Sequence, residues 1–334
     1  MKKFLIRIIL VTFIPAILLA GVYVITDPFK TLRPFSFHYF DETNRDFISS
    51  ELFLKNDSIY HYNSFIFGSS ACCGFNTYQW KHYLPDGTRQ FLFQAWGETL
   101  TGIEQKINYL DKNGNSIDNA IVMFNIPGTF DGNQLPKAVL SIKHYKFSGQ
   151  SKMAFQACLF GGFVQKPSKW FSSIIQCFNP DMKTFPADTI SNDWKADNRN
   201  ADIGIQPAKD SLNSCSAITK AVFLKEIESK TDLDLKVSEP LVTSAFLVQL
   251  NHIKAVFDKH HTDYRIIIAP AYCYNHPKIN AEDLRILQDI FGEGNVFDYS
   301  GKNEITVDYN NFSDPNHFGL SVGWQIIEDI YNSK

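Results

Sequence analysis

A serine in the first third of the chain and an Asp-x-x-His pair near its end are of the types that carry out acyl transfer. Ser70 follows a Gly-Ser dipeptide that comes directly after the apolar run 64–67. Asp314 and His317 lie three residues apart, just before the last amphipathic stretch. A carboxylate at this spacing can accept the Nδ1–H of the histidine and orient the ring as a general base for a serine hydroxyl. The pattern therefore predicts a Ser70–His317–Asp314 triad.

The same residues also have a purely structural interpretation. A Gly-Ser-Ser sequence is common where a strand ends, and Asp314 could cap the following helix while His317 packs against that helix. Pro315 stiffens the loop by fixing its own φ and biases Asp314 away from helical backbone angles. A stiff loop at this point favours the triad.

The segment around Ser70 indicates how that serine is positioned. The run 64–67 is dense in aromatic and β-branched residues, which is typical of a buried parallel strand. Gly68 ends the run, and helical spacing follows from about residue 75 to residue 84. Ser70 is thus predicted at the carboxyl end of a strand, where open α/β sheets bind ligands. N–H groups at a helix start also favour developing negative charge there.

Strand-like and helix-like segments alternate through most of the remaining chain. Further strands are predicted at residues 89–96, 120–124, 265–270 and 295–299. Amphipathic helices are predicted from apolar spacing within residues 100–110, 246–257, 284–291 and 320–331. Such alternation indicates right-handed crossovers and a parallel sheet. The expected fold class is α/β, with about five parallel strands.

The chain is expected to have three parts. Residues 1–26 are predicted to form a membrane anchor, residues 27–62 a juxtamembrane connector, and residues 63–334 a catalytic domain. The alternation fails from about residue 128 to residue 240, which is interpreted as a long insertion over the active-site face. Loops of this length are usually functional or disordered. Removing the insertion is expected to change substrate selection more than the folding of the sheet.

The N-terminus predicts the location of the protein. Lys2, Lys3 and Arg7 precede an uncharged, mostly apolar run from residue 8 to residue 26, which is long enough to cross a bilayer. The positive flank predicts a cytoplasmic N-terminus and an extracytoplasmic domain on the periplasmic or cell-surface side. A cleaved signal peptide is the alternative, but Leu18 interrupts the small-x-small pattern before Ala20.

Composition argues against several other classes. The net charge of -3 and the lack of a basic cluster with interleaved aromatics argue against nucleic-acid binding. The six cysteines match no zinc spacing, and no glycine-rich phosphate loop is present, so no metal or cofactor is expected. Adjacent Cys72 and Cys73 are interpreted as small residues buried in the turn after Ser70. A cysteine nucleophile stays an alternative.

The Gly68-Ser69-Ser70 segment and the Asp314-x-x-His317 segment resemble sequence blocks of the SGNH (GDSL-type) hydrolases. The resemblance is to their membrane-anchored envelope branch, which includes acetyltransferase-like proteins of exopolysaccharide systems and the D-alanine transfer protein of teichoic acid systems. Its first block is Gly-Asp-Ser, matched here by Gly68-Ser69-Ser70, and its last is Asp-x-x-His, matched by Asp314 and His317. The resemblance covers roughly residues 63–124 and 243–331, and the middle blocks are poorly matched.

The resemblance implies a three-layer, flavodoxin-like sheet and a role for each site residue. Ser70 would be the nucleophile, with Asp314 and His317 as its partners. The family forms its oxyanion hole from the nucleophile's own N–H, a glycine of block two and an asparagine of block three. By their positions after the second and third strands, these residues would be Gly97 and Asn125. The block-three pattern Gly-x-Asn-Asp is absent around Asn125.

The expected function is therefore an extracytoplasmic serine esterase or O-acyltransferase acting on O-acyl groups of envelope glycans. Its partners would be an acyl-ester or glycan substrate and the membrane. One alternative is a catalytically inactive SGNH-like domain that binds glycan or scaffolds an envelope assembly, which the missing middle blocks favour. Another is a generic lipase or thioesterase, which predicts turnover of aryl esters with a chain-length preference.

Overall fold

The computed structural model describes residues 2–35, 38–39, 44–131, 139–165, 171–176, 178, 183–184, 187–193, 236–273 and 276–332. The chain divides into two compact units. One unit consists of Met1–Ile48 and Leu135–Phe185, and the other of Ser49–Gln134 and Pro186–Lys334. The second unit contains the central sheet and all five site residues that the sequence predicts.

The central sheet has five parallel strands in the order β2-β1-β3-β4-β5. The strands are β1 (Ser64–Gly68), β2 (Gln90–Gln94), β3 (Asn119–Phe124), β4 (Asp263–Ile268) and β5 (Val296–Asp298). This confirms the predicted α/β class and the five-stranded parallel sheet. Gly68 pairs with Gln94, so β1 and β2 end level with each other.

The helices and short elements complete the inventory of the described residues. The α-helices are α1 (Lys2–Thr26), α2 (Arg45–Tyr60), α3 (Thr77–Lys81), α4 (Leu100–Lys112), α5 (Tyr145–Ser148), α6 (Lys152–Gln165), α7 (Phe171–Gln176), α8 (Ser244–His260), α9 (Ala281–Phe291) and α10 (Leu320–Asn332). Short 3₁₀ turns cover Ser70–Gly74, Gly128–Phe130, Val139–Ser141, Glu293–Asn295 and Tyr309–Asn311. Two small antiparallel pairs join His38–Tyr39 to Lys183–Thr184 and Phe312–Asp314 to His317–Phe318.

One face of the sheet is covered by aromatic side chains. Alternate strand residues point to the same face, and here Phe65, Phe91 and Phe93 surround Phe53 of α2. The centroid distances from the Phe53 ring are 6.1, 5.7 and 5.3 Å. Residues 49–60, which the sequence places in a juxtamembrane connector, therefore form part of the unit that holds the sheet.

The intervening strand residues bury the opposite face. Ile66, Ile121 and Ile267 belong to a fully buried cluster with Ile326 and Ile330 of α10. Full burial of such a side chain contributes about 1.5–3 kcal/mol. Helix α10 therefore packs against the strands whose ends carry the candidate site.

A segment from the predicted insertion covers the outer edge of β2. The Leu92 N–H donates to the Ser191 carbonyl at 2.9 Å, and Asn192 Nδ2 donates to the Leu92 carbonyl at 2.6 Å. Asp193, which is buried, accepts from the Thr77 N–H and hydroxyl at 3.1 and 2.7 Å. Burial raises the pKa of Asp193 to about 6, against the lowering effect of these hydrogen bonds. Most of the remaining insertion, including residues 194–235, lies outside the described residues.

The other unit has its own apolar cluster. Tyr23 and Phe29 pack with Phe155, Leu159 and Phe163. Within the part of the chain that the structure describes, no helix is both long enough and apolar enough to cross a membrane.

Candidate active site

The turn after β1 presents Ser70 to solvent with its own N–H alongside. Ser69 is the N-cap of the 3₁₀ turn, and its Oγ accepts the Ala71 N–H at 3.3 Å. The Ser69 carbonyl accepts the Cys72 N–H at 3.0 Å. Ser70 is the first residue of the turn, so its N–H has no partner within the turn. The hydroxyl and a backbone donor of the same residue are therefore available together.

A continuous chain of hydrogen bonds joins the three predicted triad residues. Ser70 Oγ lies 2.7 Å from His317 Nε2. His317 Nδ1 lies 2.7 and 2.8 Å from the two carboxylate oxygens of Asp314. An ionised carboxylate can only accept, so Nδ1 carries the proton and Nε2 is left to accept the Ser70 hydroxyl. In this geometry the imidazole is able to accept the Ser70 proton.

The hairpin before α10 positions the Asp–His pair. Asp314 and His317 face each other across its two short strands, as a register pair. The Asn316 N–H donates to Asp314 Oδ1 at 2.9 Å. The Pro315 carbonyl accepts the Tyr272 N–H at 3.0 Å, which ties the hairpin to the segment after β4. The hairpin is therefore held by one hydrogen bond within it and by another from the segment after β4.

The Asp314 carboxylate is stabilised in its charged form. Burial raises the pKa of this carboxyl. The hydrogen bond and charge of His317, together with backbone N–H donors, lower that pKa by more than burial raises it. The net pKa of Asp314 lies below its ordinary value. Both side chains of the pair keep about one third of their surface exposed, at 35% for His317 and 34% for Asp314. The Asp314 carboxylate is thus ionised, and both side chains are accessible from solvent.

Two glycines allow α10 to approach the Ser70 turn closely. A Cβ on Gly323 would overlap the Gly74 carbonyl oxygen and lie 2.7 Å from the Gly74 carbonyl carbon. A Cβ on Gly74 would overlap the ring of Phe318, the residue after His317. The backbone carrying Ser70 and the segment carrying His317 therefore meet through positions with no side chain.

Asn125 lies beside Ser69, in the segment after β3. Its Oδ1 accepts from the Ser69 hydroxyl at 2.5 Å, and its backbone N–H donates to Thr129 Oγ1 at 2.9 Å. With the amide oxygen engaged, the Asn125 NH₂ group is left as a donor near the Ser70 turn. The sequence predicts Asn125 in this region but gives no sign of its bond to Ser69.

Gly97 lies in the turn that follows β2, with a left-handed φ of 58°. The Ala95 N–H donates to the Gly68 carbonyl at 3.2 Å, which places the start of this turn beside the end of β1. The next residue, Glu98, is fully buried and forms an ion pair of 2.5 Å with buried Lys106 of α4. Sequence reasoning missed this pair, because an i, i+8 Glu–Lys spacing is not distinctive.

Of the two cysteines predicted to be buried after Ser70, Cys72 is buried, whereas Cys73 is only partly buried and its Sγ accepts a hydrogen bond from Gln94 Nε2 at 3.0 Å. Burial raises the pKa of the Cys72 thiol well above its ordinary value, which disfavours it as a nucleophile. Of the six cysteines, Cys177 and Cys215 lie outside the described residues, and the four described ones form no disulfide with one another. No cluster of metal-ligating side chains occurs among the described residues.

Two histidines of α8 each contact an acidic residue of a neighbouring helix. His252 Nδ1 lies 2.7 Å from Glu104 Oε1, and His260 Nε2 lies 2.7 Å from Asp111 Oδ1. Both acids belong to α4, which packs beside α8. These pairs are contacts between neighbouring helices.

Fold and site together define an α/β protein with a Ser–His–Asp hydrogen-bond chain at the carboxyl edge of a five-stranded parallel sheet. No protein-family model matches the chain, and no curated protein is similar enough in sequence to count as a relative.

Proposed function

We propose that this protein is a serine acyl-transfer enzyme of the SGNH type, an O-acyl esterase or O-acyltransferase. The observation that carries the proposal is the 2.7 Å contact of Ser70 Oγ with His317 Nε2, on a ring whose Nδ1 is held by Asp314. A helix cap and a packed histidine would not require a serine hydroxyl at the opposite ring nitrogen.

The proposed reaction has two steps. Ser70 Oγ attacks the ester carbonyl while His317 Nε2 takes its proton; the tetrahedral intermediate then expels the alcohol, which receives that proton. The acyl group is now esterified to Ser70. Water or a sugar hydroxyl, deprotonated by His317, attacks this ester, and the proton returns to Ser70 Oγ. General acid–base help of this kind contributes roughly 100- to 10,000-fold.

The oxyanion of each intermediate needs N–H donors. We assign the Ser70 N–H, the Asn125 side-chain amide and the Gly97 N–H to this task. The first N–H of the 3₁₀ turn, which has no partner within the turn, and the Asn125–Ser69 hydrogen bond support the first two assignments. Loss of one such donor costs about 3 kcal/mol of transition-state stabilisation.

We further propose that the enzyme acts outside the cytoplasm on O-acyl groups of envelope glycans, anchored by its N-terminus. The apolar run 8–26 and its positive flank support this location. The insertion 128–240 is proposed to select the substrate. Reporter fusions after Asp27 test the location, and a cytoplasmic signal beyond that residue would overturn it.

A fluorophosphonate probe applied to the full-length protein tests the chemistry. We expect wild type to be labelled, Ser70→Ala not to be labelled, and His317→Ala to be labelled at least about 100-fold more slowly. For ester turnover, the Ser70→Ala/His317→Ala double variant should lose little more than either single variant, because triad members act as a unit. Ser116→Ala, an exposed serine before β3, is the matched control. A folded wild type that resists the probe would favour the non-catalytic glycan-binding alternative.

A further inference from the structure

A cavity of about 220 Å³ opens beside the candidate triad. It lies beyond the carboxyl ends of β3, β4 and β5, with Asn125, Ala269 and Ser300 among its lining residues. Asn316, between Asp314 and His317, lines it from the hairpin. The cavity therefore shares the loop of Asp314 and His317 with the triad, whereas its other walls follow β3, β4 and β5 rather than β1.

Two asparagines connect this cavity to the reacting atoms. Asn125 accepts the Ser69 hydroxyl at 2.5 Å, next to the proposed nucleophile. Asn316 donates its N–H to Asp314 at 2.9 Å. Asn125 and Asn316 are therefore lining residues of the cavity that also hydrogen-bond a triad residue or the neighbour of one.

The remaining wall is largely aliphatic. It includes Ile126, Pro127, Ala269, Ala271 and Pro277 with two glycines, and His276 is the one further polar residue of the lining. A mainly apolar lining with a small number of polar groups is typical of small-molecule sites. A sugar would need many more hydrogen-bond partners along such a wall, whereas a hydrocarbon chain needs none.

We propose that this cavity receives the acyl group of the ester and limits it to short or medium aliphatic chains. The proposal rests on the acyl-transfer function of Ser70. A cavity of about 150 Å³ holds the six carbons of benzene. By that scale, 220 Å³ accommodates about nine heavy atoms. Chains up to about eight carbons should fit, and fatty acyl chains of twelve or more should not.

Aryl esters of increasing acyl length, tested on the full-length protein, measure this limit. We expect turnover of wild type to fall steeply beyond about eight acyl carbons. Ala271→Leu adds three carbons to the wall and should move the fall to chains shorter by about three carbons. Ala255→Leu, at an exposed position of α8, is the matched control and should leave the profile unchanged.

Labelling of Ser70 by a short fluorophosphonate distinguishes the two ways to fail. If Ser70 is labelled in every variant and Ala271→Leu leaves the chain-length limit unmoved, the acyl pocket is wrong and the acyl-transfer function stands. If Ser70 is not labelled in folded wild type, the function itself is wrong. Should Ala271→Leu not fold, Ala271→Val adds two carbons and should shorten the limit by about two; an unmoved limit again rejects the pocket.

Discussion

A single methyl group at Gly323 is expected to disrupt both stability and the Ser70–His317 contact. Gly323 lies on α10, where a Cβ would overlap the Gly74 carbonyl oxygen and approach the Gly74 carbonyl carbon to 2.7 Å. Real Cβ atoms essentially never come within 3.0 Å of such backbone atoms. Neither partner is the end of a flexible side chain, so the helix and the Ser70 turn must separate by on the order of 1 Å.

That separation sets the size of the effect. Overpacking of this kind destabilises proteins by about 1–3 kcal/mol, and sometimes by more. His317 precedes α10 by three residues, so a shift between α10 and the turn also lengthens the 2.7 Å contact of Ser70 with His317. Adding about 1 Å exceeds the ~3.2 Å range of a good hydrogen bond. A misplacement of that size can cost about 100-fold in rate.

Urea unfolding and fluorophosphonate labelling of Gly323→Ala measure the two effects separately. The matched control is Gly294→Ala, because a Cβ there meets nothing within 4 Å. We expect the control to behave like wild type in both assays. An unchanged unfolding midpoint and labelling rate in Gly323→Ala would refute the close packing of α10 on the Ser70 turn. Reduced stability with normal labelling would refute only the link to Ser70 geometry.

Three further predictions address charged residues. Asp314→Asn should slow labelling less than His317→Ala if other groups still orient the ring. His317 holds the pKa of Asp314 below its ordinary value. The stability that this carboxylate contributes should therefore persist above about pH 4 and be lost only under more acidic conditions. Asp193 has its pKa raised by burial from 3.8 to about 6, so the folded state retains a proton that the unfolded chain loses between these values; stability from this group should fall by up to about 3 kcal/mol as pH rises from 4 to 6. Asp193→Asn should remove that dependence in urea midpoints, and an unchanged pH profile would contradict it. Glu98→Gln or Lys106→Met alone should each destabilise by about 3–5 kcal/mol, since a buried charge is left unpaired, while the double variant should recover part of the loss; additive losses in urea unfolding would count against the pair.

The buried positions of this protein can be predicted from its sequence, because the hydrophobic pattern of each strand and helix indicates which of its residues are buried. The run at β1 is apolar at every position, and burial on both faces is what such a run indicates. The apolar spacing at the end of the chain likewise predicts α10 and its buried side. These local patterns were enough to predict the parallel five-stranded sheet and to place Ser70 at a strand end.

The spacing of Asp314 and His317 is also local information. Two residues three positions apart on a short loop can meet whatever the rest of the chain does, and here they form a register pair of one hairpin. Their meeting with Ser70 is different, because 247 positions separate Ser70 from His317. Only the packing of α10 on the Ser70 turn decides that distance.

Tertiary structure alone decided the features that bring distant segments together. Phe53 packs on the sheet, although the prolines and scattered charges before it favour a connector. Asn125 hydrogen-bonds to Ser69 because the ends of neighbouring strands lie side by side. Glu98 forms a fully buried ion pair with Lys106 because the turn after β2 meets the helix that follows it. Hydrophobic periodicity specifies which face of an element is buried, but it does not specify which polar side chains face each other across two elements. Those partners depend on register and on the angle of packing, and these are properties of the folded chain.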